Sequence, residues 1–528
     1  MTEIPPAVFI NDLKDEISPI LEQGWKQFDV NVKLWAPAGS SSKLFSHTNY
    51  NFLEAPIDCY WNDDHATENI GAFFRSQLDI TNPAPAPDAM NVFFSANGRR
   101  AAQAIGSELI INEPEIATHA EIFKIASDPP RAKELMRKGA MRKFSEHDLF
   151  ANDSTRACKA VLSACEGKNQ HHFADFLSYV SNPLVAFDES GYLGQSGRHA
   201  VERLSDIRKG SKPEVIVCSI PLSHLSDMRI PISLFANAIF TAIKMHPHGR
   251  AVHAILDEFT ALNLPNFHKE IITLRGLGCT SEVYVQSKHA LADATSDKAE
   301  ATIFDQSDIV TYSAITDYKV ASEISSMIGS TSKKGFSANV GDRFSELSFG
   351  VQDVDVPLIT PQALMALPKD MQLIFVRGMR PIKAKKLPYW DLKGFREFTS
   401  DNPLEGPMPA SEAKVEIKIN KQSVDVIWPK VPETFFKATK EQNSFLKAIN
   451  PASFLWLLIA FPLYLSAIGW FNIPLPALRT HYTYSGSYSA PRIHRCQYIA
   501  LNGARFRRAT SQCSLISWDY RVDYGGAL

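Results

Sequence analysis

Two adjacent carboxylates follow one of the more apolar segments of the sequence. The run Ala254-Ile255-Leu256 has the composition of a buried strand, and Asp257 and Glu258 come directly after it. An Asp in this position can hold the water shell of Mg²⁺, and the Glu beside it can polarise an attacking water. Most apolar runs that end in Asp-Glu are only solvated strand ends, so the pair needs support from its surroundings.

Two further polar side chains follow at the spacing of a helix and a strand. Arg275 lies at the end of the helical pattern FHKEIITLRGLG, and Gln286 lies at the end of the strand-like TSEVYVQS. If that strand is parallel to the one before Asp257, Gln286 falls at the same sheet edge as the carboxylates. There a Gln can sense a γ-phosphate, and an Arg after the helix can reach a neighbouring subunit's nucleotide. Alternatively, Arg275 is a helix-terminal cation and Gln286 a polar strand cap.

The whole block resembles a known family. HAILDEFTALNLPNFHKEIITLRGLGCTSEVYVQSKHAL is similar to the Walker B to glutamine-motif region of the TraG/TraD-type coupling proteins of conjugation and type IV secretion. Leu274 stands where that family usually has Gly, and the loop around Leu264 is one residue shorter. Further segments resemble the family in the same order, so the likeness covers about residues 6–395; they are VFINDLKDE, YNFL, SDIRKGSKPEVIVCSIPLSHL and LITPQALMALPKDMQLIFVRGMRPIKAKKLPYW.

The resemblance implies an ATP-driven DNA translocase. It implies ATP and Mg²⁺ as cofactors, with Asp257 on the metal, Glu258 activating water, Gln286 sensing phosphate and Arg275 acting across a subunit interface. It also implies a homo-hexamer at the inner membrane, with its ATPase part in the cytoplasm. The implied partners are DNA, a relaxase or relaxosome, and the proteins of a type IV secretion channel. The alternative is a catalytically inactive remnant that serves as a scaffold for docking DNA or a relaxase.

The phosphate-binding loop of that family has no counterpart in the sequence. The motif G-x-x-x-x-G-K-[ST] is expected just before the strand at Val8 and does not occur there. Two rival segments, residues 38–43 and 329–333, lack the second Gly before their Lys. Because this loop supplies most of the donors to the β- and γ-phosphates, we expect the chain alone to hydrolyse ATP poorly or not at all. A truncated or split gene product is the simplest interpretation.

Strand and helix patterns alternate on both sides of a helical block. PAVFIND, FDVNVKLWAP, EVIVCSIP and AVHAILDEF are strand-like and are separated by amphipathic stretches, which predicts a doubly wound α/β fold with a parallel sheet. Under the resemblance this is a RecA-like P-loop NTPase fold. The expected divisions are 1–65 and 186–397 for the α/β core, 66–185 for an all-α insertion, 398–450 for a linker, 451–473 for a transmembrane helix and 474–528 for a small tail.

Composition excludes several classes of protein. Lys+Arg 55 against Asp+Glu 57 rules out a wholly basic nucleic-acid binder, although not a local basic groove. Seven cysteines in 528 residues are too few for a disulfide framework. The start MTEIPPAVFINDLKDE lacks the pattern of a signal peptide, so the main body is expected in the cytoplasm.

The C-terminal region carries one long apolar segment. FLWLLIAFPLYLSAIGWF, residues 454–471, is long enough to span a bilayer, and a buried core helix is the alternative. If it spans once, the tail lies outside, where Cys496 and Cys513 can form a disulfide. Elsewhere, a basic run beside Tyr389 and Trp390 fits either a nucleic-acid contact or a solvated sheet exit; it contains Arg377, Arg380, Lys383, Lys385, Lys386, Lys393 and Arg396.

Overall fold

A computed structural model of the chain describes most of residues 6–427 and four strands of the tail. The described ranges are 6–28, 30–61, 69–85, 92–194, 200, 202–210, 212–340, 347–410, 415–419, 424–427, 475–485, 492–500, 505–508 and 516–519. The chain divides into two compact units, Met1–Pro429 and Lys430–Leu528. The predicted transmembrane segment 451–473 and the Cys496–Cys513 pairing lie outside what the structure describes.

The described residues form seventeen strands and fifteen α-helices. The strands are β1 (Ala7–Asp12), β2 (Asn31–Trp35), β3 (Glu214–Ser219), β4 (Val252–Leu256), β5 (Cys279–Val283), β6 (Ile309–Ser313), β7 (Ser330–Val340), β8 (Leu347–Pro357), β9 (Met371–Val376), β10 (Ile382–Lys385), β11 (Leu392–Lys393), β12 (Val415–Ile419), β13 (Val424–Ile427), β14 (Leu475–Ser485), β15 (Arg492–Ala500), β16 (Arg505–Arg508) and β17 (Ile516–Asp519). The helices are α1 (Ile17–Gln27), α2 (Glu54–Trp61), α3 (Ile70–Thr81), α4 (Val92–Asn112), α5 (His119–Ala126), α6 (Pro129–Met141), α7 (Leu149–Ala164), α8 (His172–Ser181), α9 (Asp206–Lys209), α10 (Leu225–Met245), α11 (Phe267–Gly276), α12 (Lys288–Ala294), α13 (Asp297–Gln306), α14 (Tyr318–Ile328) and α15 (Pro361–Met365).

A five-stranded parallel sheet forms the centre of the first unit. Its order is β2-β3-β1-β4-β5, and every neighbouring pair is parallel. Helix α10 packs on one face through Phe235 and Phe240, which contact Phe9 of β1. Helix α1 covers the other face over β1–β3, where Trp25 joins the cluster around Ile10. The predicted α/β class with a parallel, doubly wound sheet is therefore confirmed.

The helical block shares its hydrophobic core with the sheet. Helices α2 to α8 lie between β2 and β3, beginning at Glu54, somewhat earlier than the expected boundary at residue 66. Trp35 of β2 stacks on Phe235 with ring centroids 4.5 Å apart, and Phe52 contacts both Phe235 and Phe187. One continuous cluster of buried side chains runs through both parts. The block therefore packs as part of the core.

The Gly/Ser-rich composition of residues 329–343 predicts a loop, and this prediction is wrong for most of the segment. Ser330–Val340 forms β7, which pairs antiparallel with β8 over eleven residues in register. Cross-strand pairing outweighs the weak strand propensity of Gly and Ser here. The adjacent β9 forms a three-stranded sheet with β6 and β10, in the order β10-β9-β6.

One described helix is long and apolar enough to cross a membrane. It is Leu222–Met245, which contains α10, and 83% of its most apolar window is buried within the protein. Burial of this extent is typical of the central helix of an α/β core, and α10 lies directly on the five-stranded sheet.

A buried ion pair joins three helices of the block. Glu108 of α4 is fully buried and accepts two hydrogen bonds of 2.7 Å from the Arg142 guanidinium, which follows α6. Ser154 of α7 donates a third to the same carboxylate. Such a pair costs free energy to bury, and removing one partner leaves an uncompensated charge.

We predict that Glu108→Ala lowers the free energy of unfolding by about 3 kcal/mol, because the substitution removes the fully buried carboxylate that pairs with the partly buried Arg142 guanidinium. The matched control is Glu134→Ala, which removes the exposed partner of Lys138 and is expected to leave the free energy of unfolding nearly unchanged. Urea unfolding followed by pulse proteolysis measures both. Equal effects of the two substitutions would contradict the prediction.

Candidate nucleotide site at the carboxyl edge of the sheet

The parallel pairing of β1 with β4 places the two chain segments of the site side by side. Asn11 of β1 lies opposite Leu256 of β4, so both strands end at the same edge. The Asn11 side-chain amide donates a 3.0 Å hydrogen bond to the Asp257 carbonyl. This bond fixes the backbone just where the carboxylates begin.

Glu258 lies between a cation and an amide. Its Oε1 is 2.5 Å from Lys14 Nζ, and its Oε2 accepts a 3.0 Å hydrogen bond from Gln286 Nε2. The structure therefore brings Glu258 and Gln286 together, as the sequence predicted. β5 ends at Val283, so Gln286 lies three residues beyond the strand and not at its last position. The Tyr284 amide still donates to the Leu256 carbonyl, which keeps this segment alongside β4.

The backbone of Glu258 is in the left-handed region, with φ 48° and ψ 45°. A non-glycine residue pays a steric penalty there, of the order of 1 kcal/mol. In this conformation the Glu258 carboxylate contacts Lys14. Asp15 has the same kind of conformation, with φ 58°, on the neighbouring turn after β1. Both turns at this edge are therefore held in a sterically unfavourable form by the packing around them.

Burial and neighbouring charges shift the pKa of Asp257 and of Lys14. Burial raises the pKa of Asp257 above its ordinary value, and the neighbouring Glu258 charge adds to this, while Lys14 opposes it. The hydrogen bond from Lys14 to Glu258 raises the pKa of Lys14. Lys14 is thus held as a cation at neutral pH. Lys14 belongs to the segment VFINDLKDE, but the sequence pattern did not assign it to the site.

Asp257 and Glu258 fit the metal and water side of a nucleotide site. A half-buried Asp carboxylate is a hard oxygen ligand of the kind that Mg²⁺ accepts through its water shell. The amide of Gln286 and the ammonium of Lys14 are donors suited to anionic oxygen. These groups lie at the carboxyl ends of parallel strands, where ligands of open α/β sheets bind.

Several backbone amides of the rival phosphate loop at residues 38–43 already have acceptors within the chain. The Ser41 backbone N–H donates to the Asp15 carboxylate, and the Lys43 N–H donates to Glu22 Oε2 at 2.9 Å. The Leu44 N–H reaches the same Glu22 oxygen at 3.3 Å. An anionic phosphate would have to compete with two carboxylates for these donors. The other rival, residues 329–333, enters β7 and is part of a hairpin.

Arg275 lies away from this cluster in the structure. It is in the last turn of α11, before β5 begins, and 56% of its side chain is exposed. Its Nη2 is 3.1 Å from Asp308 Oδ2. The chain therefore does not bring Arg275 to its own Glu258, because the two residues flank opposite ends of adjacent parallel strands.

A family match covers the segment that carries Asp257, Glu258, Arg275 and Gln286. Residues 223–430 match a family model described as Type IV secretory system Conjugative DNA transfer. The resemblance to type IV coupling proteins is confirmed. A curated relative, the type IV secretion system-coupling protein VirD4 of Bartonella quintana (strain Toulouse), is 26% identical over 197 residues, which are 36% of this chain and 30% of the relative. The match thus spans less than a third of the relative's length.

Solved structures of conjugative coupling proteins are similar to this chain at low identity. The unbound monoclinic form of TrwBdeltaN70 is 14% identical, with 73% of this chain and 88% of that chain covered and a TM-score of 0.44. The plasmid coupling protein TrwB in complex with ADP and Mg²⁺ is also 14% identical, covering 73% and 89% with a TM-score of 0.46.

We predict that Glu258→Gln lowers the pKa of Lys14, because the substitution removes the anionic partner that favours the charged amine. The stabilising pair is present below the pKa of an unfolded-state lysine and is lost as pH rises through the raised folded-state pKa. Competitive amine labelling of Lys14 against pH, read by mass spectrometry, measures this shift. Glu282→Gln, an exposed Glu on β5 that bonds His253 and Tyr284, serves as the control and leaves the profile unchanged.

Proposed function

We propose that the chain is a coupling protein of conjugative DNA transfer that supplies the metal and water side of an ATPase site. The observation that carries the proposal is the convergence of Asp257, Glu258 and Gln286 at one sheet edge, within the segment that matches the conjugative DNA transfer family. Bound ATP with Mg²⁺ would supply the phosphoanhydride whose hydrolysis drives movement of DNA. Asp257 would hold the hydrated metal, Glu258 would orient the attacking water and Gln286 would contact the terminal phosphate.

Lys14 has a defined place in this proposal. Its Nζ lies 2.5 Å from Glu258 Oε1. Before nucleotide binds, Lys14 therefore neutralises the charge of the Glu258 carboxylate, which is the proposed general base. A γ-phosphate near this edge offers a second anionic partner to the same ammonium. Exchange of Lys14 from the carboxylate to the phosphate would then free Glu258 to accept a proton from water.

Arg275 is proposed to act on a neighbouring subunit. Its side chain is 56% exposed at the opposite end of β5 from Glu258, so a second copy of the chain could reach it in competition with its exposed partner Asp308. In a homo-hexamer such a residue completes the adjacent site. Membrane attachment at the inner membrane, the relaxosome and the secretion channel are proposed as the setting and partners of that assembly.

The alternative function is a scaffold that docks DNA or a relaxase without hydrolysing ATP. Two observations favour it: the N–H groups of Ser41, Lys43 and Leu44 donate to the carboxylates of Asp15 and Glu22, and Lys14 is paired with Glu258. Both functions share the expectation of a DNA contact. They differ in whether Glu258 ever acts on water.

We predict that the chain by itself turns over ATP at least about 100-fold more slowly than an ordinary enzyme with a kcat of about 10 s⁻¹. The physical reason is that the 528 residues contain no G-x-x-x-x-G-K-[ST] loop to bind the β- and γ-phosphates. A coupled phosphate-release assay with Mg²⁺ and DNA present measures the rate. Ordinary turnover that is abolished by Glu258→Gln and kept by Glu282→Gln would refute the prediction.

We predict that Arg380→Ala with Lys383→Ala weakens DNA binding and reduces its salt dependence. Both residues are exposed on the β9–β10 hairpin, and two lost phosphate contacts lower the slope of log K against log salt by about 1.8. Arg137→Ala with Lys138→Ala on α6 removes the same charges elsewhere and is the control. Fluorescence anisotropy of a labelled duplex, repeated at salt concentrations from about 50 to about 200 mM, measures the affinity and the slope of log K against log salt. Equal effects of the two double variants would refute a specific contact.

A further inference from the structure

A segment that follows β11 in the first unit lies along helix α1. This segment, residues 396–402, is called the strap below, and Thr399 in its middle is extended, with φ −123° and ψ 151°. The contacts with α1 pair Phe398 with Gly24, Ser400 with Ile20 and Asn402 with Glu16. Four helical residues rise about 6 Å and two extended residues span about 6.6 Å. The strap therefore stays in step with α1 as it runs antiparallel to the helix.

The glycine at position 24 makes this close approach possible. A Cβ atom there would lie 2.7 Å from the backbone oxygen of Phe398, which is closer than van der Waals contact allows. The Phe398 ring also packs on Phe28, with ring centroids 5.4 Å apart. Glycine inside a helix is less stable than alanine, because it has more conformational freedom to lose. Helix α1 thus has a residue of low helix propensity at the point where the strap passes.

Asn402, at the end of the strap, is buried and uses both ends of its side-chain amide. Its Oδ1 accepts hydrogen bonds from the backbone N–H groups of Leu404 at 2.8 Å and Glu405 at 3.3 Å. Its Nδ2 donates to Glu16 Oε2 at 2.9 Å. Because the oxygen and nitrogen of an amide are rigidly linked, the turn that binds the oxygen also directs the NH₂ group toward Glu16.

Glu16 belongs to the same turn as Lys14, two residues further along the chain. Its backbone N–H donates to the buried Asp12 carboxylate at 3.0 Å, which fixes the turn from inside. The hydrogen bond to Glu258 raises the pKa of Lys14, burial opposes this, and the charge of Glu16 adds to the increase. Two carboxylates therefore attract one ammonium. Lys14 Nζ contacts Glu258 at 2.5 Å, while the Glu16 carboxylate is held by Asn402.

We propose that Asn402 is a positioning residue for Lys14. By holding the Glu16 carboxylate, Asn402 removes a competing anion from the turn and leaves the Lys14 ammonium to Glu258. A lysine ammonium is a point charge on a flexible stem, so it moves to whichever carboxylate is available. The proposal rests on the function proposed above, in which Lys14 exchanges between Glu258 and a terminal phosphate. A Lys14 bound to Glu16 would be drawn away from the carboxylate edge where that exchange takes place.

Zero-length cross-linking of the full chain with a water-soluble carbodiimide tests the proposal, because this reagent joins an amine to a carboxylate in contact with it. Mass spectrometry of the digested chain measures the yield of the Lys14–Glu258 product. Asn402→Asp keeps the oxygen that binds the turn but replaces the NH₂ donor with a second anion. We expect the Lys14–Glu258 yield to fall about tenfold and a Lys14–Glu16 product to appear. An unchanged yield, or no Lys14–Glu258 product in the unsubstituted chain, overturns the proposal.

A control and a rescue separate this role from a general loss of structure. Asn112 Nδ2 donates to Glu108 Oε2 at 2.9 Å in the helical block, so Asn112→Asp removes the same kind of bond elsewhere and is expected to leave the yield unchanged. Glu16→Gln combined with Asn402→Asp exchanges donor and acceptor and removes the competing charge. We expect the Lys14–Glu258 yield to return in this double variant. A yield that stays low there, or an equal loss in Asn112→Asp, overturns the proposal.

A second pair of variants acts on the strap itself. Gly24→Ala places a Cβ against the Phe398 oxygen and is expected to displace the strap and lower the yield as Asn402→Asp does, although alanine is the better helix former. Gly276, in the last turn of α11, has no atom within 4 Å of an added Cβ, so Gly276→Ala is the control and leaves the yield unchanged. Full yield in Gly24→Ala overturns the proposal.

The cross-linking yield does not depend on nucleotide, so the two proposals fail separately. If the yield responds to Asn402→Asp as expected and ATP hydrolysis is absent under every condition, the ATPase part of the proposed function fails and the role of Asn402 stands. If ATP hydrolysis depends on Glu258 and the yield does not respond to Asn402→Asp, the role of Asn402 fails and the proposed function stands.

Discussion

The parallel pairing of β1 with β4 is the constraint on which the site depends. It brings Asn11 against the Asp257 carbonyl and carries Lys14 to within 2.5 Å of Glu258, although some 240 residues separate these segments along the chain. Because neighbouring parallel strands end at one edge, the turns that follow them share a small volume. The left-handed turn at Glu258 is tolerated since the surrounding strands hold it. Without this pairing the carboxylates would be an ordinary strand end.

The core explains why so long a helical block can lie between two strands without weakening the sheet. Trp35, Phe52 and Phe235 form an aromatic contact that belongs to sheet, block and central helix together. Buried aromatic rings provide large apolar area and favour offset or edge contacts. The block is therefore stabilised by the same burial that stabilises the sheet. It leaves the carboxyl edge of β4 and β5 accessible for chemistry.

Local sequence patterns predicted the secondary structure correctly where a single interaction, the burial of an apolar run, dominates. Alternating apolar runs gave β1, β3 and β4, and the Asp-Glu pair after β4 indicated the site. The hairpin of β7 and β8 was missed because Gly and Ser have weak strand propensity and the stabilising bonds come from a partner strand. Lys14 was missed for a related reason: nothing in VFINDLKDE indicates which distant carboxylate its ammonium will meet.

The sequence by itself determined the chemistry that is present: two carboxylates, a Gln and an Arg in family order, and no G-x-x-x-x-G-K-[ST] loop. Only the tertiary structure decided which of these groups meet. It joined Glu258 to Lys14 and Gln286 and left Arg275 at the other end of β5. It also directed the amides of Ser41, Lys43 and Leu44 to the carboxylates of Asp15 and Glu22. The reason is that residue types and spacing are local, whereas hydrogen bonds and ion pairs between distant segments depend on strand order and register.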